Sequence, residues 1–231
     1  MKENIGIIGL GSLGSRLATQ IASAGCNVIA FDSDRTKSVE REGITVVGSQ
    51  AEVLQSCSIV HWAIPSKLLN IPSSDLQDVI IVLHDSVMNN SKEALARRSD
   101  SEKFAVVHLL MNSAKRVFVA SDASHSQDMM QHLEAVGLSP KLATIKDHDL
   151  LMAHTQGILA LLIKLGLKDK LDQASMNGDL TPSADELHRT MVSPELDWTT
   201  NTLNSILVNP ELKQVVKAVV ATVNKREDNR K

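Results

Sequence analysis

The first 145 residues carry two hydrophobic rhythms in turn. Short apolar runs stand at NIGIIGL (4–10), NVIAF (27–31), ITVV (44–47), SIVHWAI (58–64), DVIIVLH (78–84), FAVVHL (104–109) and RVFVA (116–120). Most are continuous rather than alternating, the pattern of parallel strands covered on both faces. Between the first two, Leu13, Leu17, Ala18, Ile21 and Ala22 recur at helical spacing, and Gly25 supplies a stop. Repeated strand–helix–strand units predict a doubly wound α/β (Rossmann) domain over residues 1–145.

From about residue 146 the strand pattern ends. Three expected helix starts share a capping residue followed by proline: Thr181-Pro182, Ser193-Pro194 and Asn209-Pro210. The last helix sets Leu212, Val215, Val216, Val219, Val220 and Val223 on one stripe, either the core of a small domain or an interface between subunits. The reading is a smaller all-α domain over residues 146–231.

Composition narrows the function. With 24 basic against 27 acidic residues the net charge is −3, which leaves no electrostatic footprint for nucleic acid or an anionic membrane. No apolar run approaches the roughly 20 residues of a membrane span, and the chain opens directly on a strand without a leader. Cys26 and Cys57 share no metal-ligand spacing with each other or with the eight histidines. They read as reduced core residues of a cytoplasmic protein, and no metal is expected.

The chemistry begins at GLGSLG, Gly9 to Gly14, which follows the first strand and opens a helix. In that context the spacing is a dinucleotide fingerprint. Gly9 permits the turn, Gly11 lets a pyrophosphate approach, and Gly14 lets helix and strand pack. The N–H groups around Ser12 and Leu13 stand at the positive end of the helix dipole. Asp32 closes the second strand, 18 residues beyond Gly14, where a carboxylate accepts from ribose hydroxyls and repels a 2′-phosphate. NAD is therefore expected, with Arg35 keeping NADP open. Ala63, Ile64 and Pro65 close the fourth strand, beside the expected nicotinamide ribose.

The fifth strand ends near Ser86 and the sixth near His108, so the topology sends both to one rim. A histidine at a strand end is either a packed core side chain or a base. Beside a nicotinamide, a neutral imidazole accepts a hydroxyl proton while hydride leaves the carbon, and a serine can hold its tautomer. Of the others, His61 reads as packed, His84 as buried, and His125, His132 and His188 as solvated helix residues. His148 and His154, six apart, do not share a helical face.

The stretch DHDLLMAHTQGILAL (147–161) resembles the start of the helical domain of prephenate and arogenate dehydrogenases, with His148, Asp149, Met152, Ala153 and Gln156 in the pattern. GIIGLGSLG, the AIP turn, Ser86-Val87 and His108 extend the resemblance, as more loosely does LTPSADELHRTMV. It implies oxidation of a cyclohexadienol hydroxyl with NAD or NADP, with carbon dioxide loss, on the route to tyrosine. It also implies His108 at the reacting hydroxyl, Ser86 supporting it, Gln156 at the substrate, and a homodimer through the helical domain. The sequence departs from the pattern at Met88, where the family has lysine, and at Leu159 and Ala160, where it has a basic residue or histidine. No glycine or proline stands in His108–Ser113, and no arginine stands near VNPELKQVV to grip a carboxylate. Each charge-assisted hydrogen bond is worth about 1.5–3 kcal/mol, so a dicarboxylate would bind far more weakly. Two readings follow: a dehydrogenase for a different or less anionic small molecule, or a dinucleotide-binding regulatory protein without turnover. Hydroxyisobutyrate-type dehydrogenases share the nucleotide half, but their catalytic lysine helix is not visible.

Overall fold

A computed structural model describes residues 3–37, 42–76, 78–110, 115–192 and 200–228. The chain divides into two compact units, Met1–Ile145 and Lys146–Lys231.

The first unit is one eight-stranded sheet. Its strands are β1 (Asn4–Ile8), β2 (Asn27–Phe31), β3 (Ile44–Val46), β4 (Ile59–Trp62), β5 (Ile80–His84), β6 (Phe104–Leu109), β7 (Arg116–Ala120) and β8 (Ser139–Ala143). They lie in the order β3-β2-β1-β4-β5-β6-β7-β8. The chain reverses direction in space between β3 and β4, and the crevice at that switch, beside β1, is where such sheets take ligands.

Two features depart from the sequence reading. β7 runs antiparallel to β6, against the expectation of parallel strands. The link is too short for a crossover helix, so a hairpin is the available geometry. β8, Ser-Pro-Lys-Leu-Ala, carries no apolar run, yet it pairs in parallel with β7 along its whole length. It is the sheet edge and stays half-exposed, and an edge is where a strand tolerates Pro140, whose missing N–H has no neighbour to bond.

Helices cover both faces. α1 (Ser12–Ser23) and α4 (Ser126–Ala135) set Leu17, Ile21, Met129 and Leu133 against Ile5, Ile7, Val82, Ala105 and Val107. Each fully buried aliphatic chain contributes about 1.5–3 kcal/mol. α2 (Gln50–Ser56), capped by the Ser49 hydroxyl at Glu52 N–H, packs on β1 and β2, and α3 (Met88–Leu95) on β5 and β6. His61 is in register with Ile7 and Val82, so alternation puts it on the face that α1 and α4 cover. His84, two residues after Val82, shares that face; His108, in step with Phe104 and Val106, takes the other.

The second unit is helical. Following α5 (Ile145–Met152), the rod passes through a π-helical turn, Ala153–Gly157, into α6 (Ile158–Lys164). After it come α7 (Leu167–Asn177), α8 (Pro182–Val192), α9 (Thr200–Leu207) and α10 (Leu212–Asp228). The π turn is fixed from outside. Asn209 donates its amide to the Asp149 carbonyl at 2.8 Å, one turn upstream. A Cβ on Gly157 would stand 2.9 Å from Leu212 Cδ1, so glycine lets that leucine of α10 pack here without turning aside.

Pro182 begins α8 as expected, with Thr181 Oγ1 accepting from Ala184 N–H. The Ser193-Pro194 start lies outside the described residues. The Asn209-Pro210 start is displaced: Asn209 Oδ1 accepts from Glu211 N–H at 2.9 Å, and α10 opens at Leu212, past the proline. The valine stripe divides. Leu212 and Val215 are buried in the unit's core with Ala153, whereas Val219 and Val220 are exposed; the side chain of Val223 is outside the described residues. Among the described residues no single helix is long and apolar enough to cross a membrane.

Candidate functional site

The glycine loop is built by steric exclusion. Gly9 holds φ +96°, a conformation that side chains rarely adopt. A Cβ on Gly14 would lie 1.8 Å from Gly9 O, so α1 meets the turn backbone to backbone. Gly11 differs: nothing lies within 4 Å of where its Cβ would be. It is also the N-cap of α1, with no side-chain cap bond, and the first turn holds no acidic residue. The first N–H groups, through Ser12 and Leu13, are thus left to an outside anion.

Asp32 is fixed beside this loop. One carboxylate oxygen accepts from Leu10 N–H at 2.6 Å and the other from Asp34 N–H at 2.8 Å. Each oxygen keeps a lone pair for a ribose hydroxyl. The AIP turn closes on the same loop: Ala63 N–H donates to Ile8 O at 2.8 Å, and Ile64 Cγ2 would lie 2.6 Å from a Cβ on Gly9. Gly9, Gly11, Ser12, Leu13, Gly14, Asp32, Ala63, Ile64 and Pro65 therefore gather at the carboxyl ends of β1, β2 and β4.

At the next strand ends, His84 pairs with Val107 and Asp85 N–H donates to Val107 O at 3.2 Å. This sets Ser86 and His108 on neighbouring strand ends. His108 is 7% exposed and Ser86 half-buried. Ser91 donates its hydroxyl to Asp85 at 2.5 Å, tying α3 to the rim. Met88 is 0% exposed, a core residue at the position where the resembled family has lysine. Gln156 stands in the second unit, half-buried on the π turn, with Ala160 buried one turn on.

The histidines depart most from the sequence reading. His61, on β4, is fully buried and joins two others: its Nδ1 meets His84 Nε2 at 2.9 Å, and its Nε2 meets His132 Nε2 at 3.0 Å. His132 is therefore a member of a chain of three imidazoles, not a solvated helix residue. Burial lowers all three pKa values: His84 to about 3 and His61 well below its ordinary 6.5, with the neighbouring imidazoles adding to both, and His132 also downward, against the opposing pull of the Glu3 carboxylate. His188 is not free either, meeting Asp172 at 2.6 Å. His125 precedes α4 and meets Asp128 at 3.1 Å, and buried His148 meets Asp149 at 2.8 Å. The sequence did carry a signal for part of the chain, since His61 and His84 have matching parity on adjacent strands. Nothing in it placed a helix side chain against them.

Two further polar atoms, Trp62 Nε1 and Ser66 Oγ, are buried without a partner, as is His84 Nδ1. All three belong to the carboxyl ends of β4 and β5. A cavity of about 630 Å³ opens among Leu54, Cys57, Asp75 and Asp78. It lies where β4 and β5 begin, away from the glycine loop, and the Cys57 thiol there is pushed up to about 11 by burial, too high for a nucleophile. Among the described residues no group of three His, Cys, Asp or Glu is placed to hold a metal ion.

Residues 4–69 match the family model of the NAD-binding domain of 6-phosphogluconate dehydrogenase. No curated protein sequence matches the chain. Solved structures do. A candidate prephenate dehydrogenase of Corynebacterium glutamicum superposes at TM-score 0.76 and 16% identity, over 96% of this chain and 80% of its own. Prephenate dehydrogenase of Aquifex aeolicus, solved with hydroxyphenyl propionate and NAD+, gives 0.70 and 15%, over 99% and 90%. The chain has the fold of the prephenate and arogenate dehydrogenases. Arogenate dehydrogenase of Synechocystis agrees, at TM-score 0.66 and 19% identity over 98% of this chain and 93% of its own. The glycine loop lies within the segment that matches the NAD-binding domain model.

Proposed function

We propose that the protein is an NAD-dependent dehydrogenase that oxidises a hydroxyl group on a small molecule, with prephenate and arogenate the first candidates. The observation that carries this reading is the empty space at Gly11 in front of the uncapped amino end of α1. A turn made only for packing would fill that space, as Gly14 does.

The N–H groups of Ser12 and Leu13 would hold the pyrophosphate, Asp32 the adenosine ribose, and the Ala63–Pro65 turn the nicotinamide ribose. The pinned carboxylate of Asp32 favours NAD over NADP, because a 2′-phosphate would meet its charge. Bound NAD+ supplies the hydride acceptor. His108 takes the hydroxyl proton and Ser86 orients its ring; Gln156 is the substrate residue that the family resemblance implies. A second reading, a dinucleotide sensor without turnover, draws on Met88 and Ala160, both buried at 0% exposure where the resembled family carries charge.

Calorimetric titration should give NAD+ a dissociation constant at least about tenfold below that of NADP+. Absorbance at the NADH band with prephenate and arogenate separates the two readings, since the sensor predicts none. His108→Asn should lower kcat by about 10² or more with NAD+ affinity kept; an unchanged kcat removes the histidine from the mechanism.

The subunit pairing belongs to the same proposal. Val219, Val220, Leu165 and Met176 are exposed large apolar side chains of the helical unit, which suits a second copy of the chain. Sedimentation should give a dimer, and Val219→Glu with Val220→Glu should return it to a monomer; a monomeric parent ends this part.

A further inference from the structure

Three buried imidazoles in series are more than packing requires. Between β4, β5 and α4 a leucine would fill the same space without desolvating a polar group. The three are linked by contacts of 2.9 and 3.0 Å, with ring centroids 5.2 Å apart at each step. One end, His84, is the last residue of β5, at the rim where Ser86 and His108 stand, and its Nδ1 is buried without a partner. The other end, His132, is half-buried on α4, and the carboxylate of Glu3 is near enough to favour its charged form.

We propose that His84, His61 and His132 form a proton path from the carboxyl rim of the sheet to the surface beside α4, carrying away the hydroxyl proton released at the reacting end. The path rests on the dehydrogenase reading for its proton source, though not for its own construction.

A neutral imidazole has one N–H donor and one bare nitrogen. Three in a row therefore have two self-consistent arrangements. In the first, His84 donates from Nε2 to His61 Nδ1, and His61 donates from Nε2 to His132 Nε2. His84 Nδ1 is then bare. A proton released at the rim adds to that nitrogen. The Nε2 proton of His84 moves to His61 Nδ1, the Nε2 proton of His61 moves to His132 Nε2, and the Nδ1 proton of His132 leaves to solvent. One proton enters and one departs, each ring ends neutral, and no electron changes hands. The second arrangement runs the path inward, as the reverse reaction requires. Burial serves this by keeping the rings neutral at pH 7, because a resident imidazolium would have no bare nitrogen to accept with.

The test uses 15N-histidine-labelled full-length protein. Nuclear magnetic resonance should show both His61 nitrogens at shifts averaged between protonated and bare values, with His132→Gln collapsing them to one fixed tautomer. A glutamine still hydrogen-bonds but relays nothing. A single fixed tautomer at His61 in the parent protein overturns the path, whatever the turnover. Averaged shifts without NADH formation from any hydroxy acid overturn the dehydrogenase reading and leave the path standing. With turnover in hand, His132→Gln should lower kcat about tenfold without changing KM, and added imidazole should restore it. A loss that imidazole does not repair, in a variant of unchanged circular dichroism, assigns His132 a packing role instead.

Discussion

Acidification from pH 6.5 to 4.5 should remove much of the protein's stability, and the three linked histidines should be the cause. In the unfolded chain each titrates near 6.5; folded, His84 is pushed to about 3 and the other two also fall. Below pH 6.5 the unfolded state therefore binds protons that the folded state refuses, so stability is full above that pH and declines as pH drops towards the folded values. Each pH unit that separates the folded from the unfolded titration is worth about 1.4 kcal/mol, which gives His84 alone a loss of about 5 kcal/mol once pH reaches 3. Small domains have about 5–15 kcal/mol in total. Carboxylates act in a separate window. Asp100, held below its ordinary 3.8 chiefly by its hydrogen bonds from Arg98, loses its contribution only at still lower pH. Urea denaturation at pH 7, 5.5 and 4.5 reads the effect as a falling midpoint. A midpoint flat over that range would mean that the rings are hydrated and protonate freely.

Gly14→Ala and Gly11→Ala should differ sharply although they lie three residues apart in one loop. The added methyl at Gly14 would lie 1.8 Å from Gly9 O, a backbone atom that has no rotamer to escape into. The loss is expected at about 3 kcal/mol, and dinucleotide binding should fall more than about a hundredfold because the loop must reshape. At Gly11 the backbone sits at φ −67°, open to any L-residue, and no atom lies within 4 Å. That variant should unfold within about 0.5 kcal/mol of the parent yet bind NAD+ at least about tenfold more weakly. Thermal unfolding and calorimetry on the same samples check both. Parent-like NAD+ binding by Gly11→Ala would show that the space in front of α1 is not a ligand's.

These contrasts explain what was legible in the chain. Continuous apolar runs mark strands buried on two faces, so β1 to β7 could be read directly. β8 could not, because an edge strand with Pro140 and an exposed Lys141 has no burial pattern to show. The loop was readable because its glycines are spaced by what they must avoid touching. His132 was misread for the opposite reason. Helical spacing tells which side of α4 faces inward, and nothing local says that the partner there is another imidazole. Asn209 looked like the start of a helix and is instead shared between a turn and the Asp149 carbonyl. A side chain's long-range partner leaves no mark on its own neighbourhood.

The π turn at Ala153–Gly157 has a consequence for how the second unit compares with other chains. One residue beyond the usual 3.6 per turn rewinds everything downstream by about 100° about the rod's axis. Side chains from Ile158 onward therefore look in a direction that counting from His148 would not give. Removing a single residue there would restore a regular α-helix and swing Leu159 and Ala160 to a different side of it.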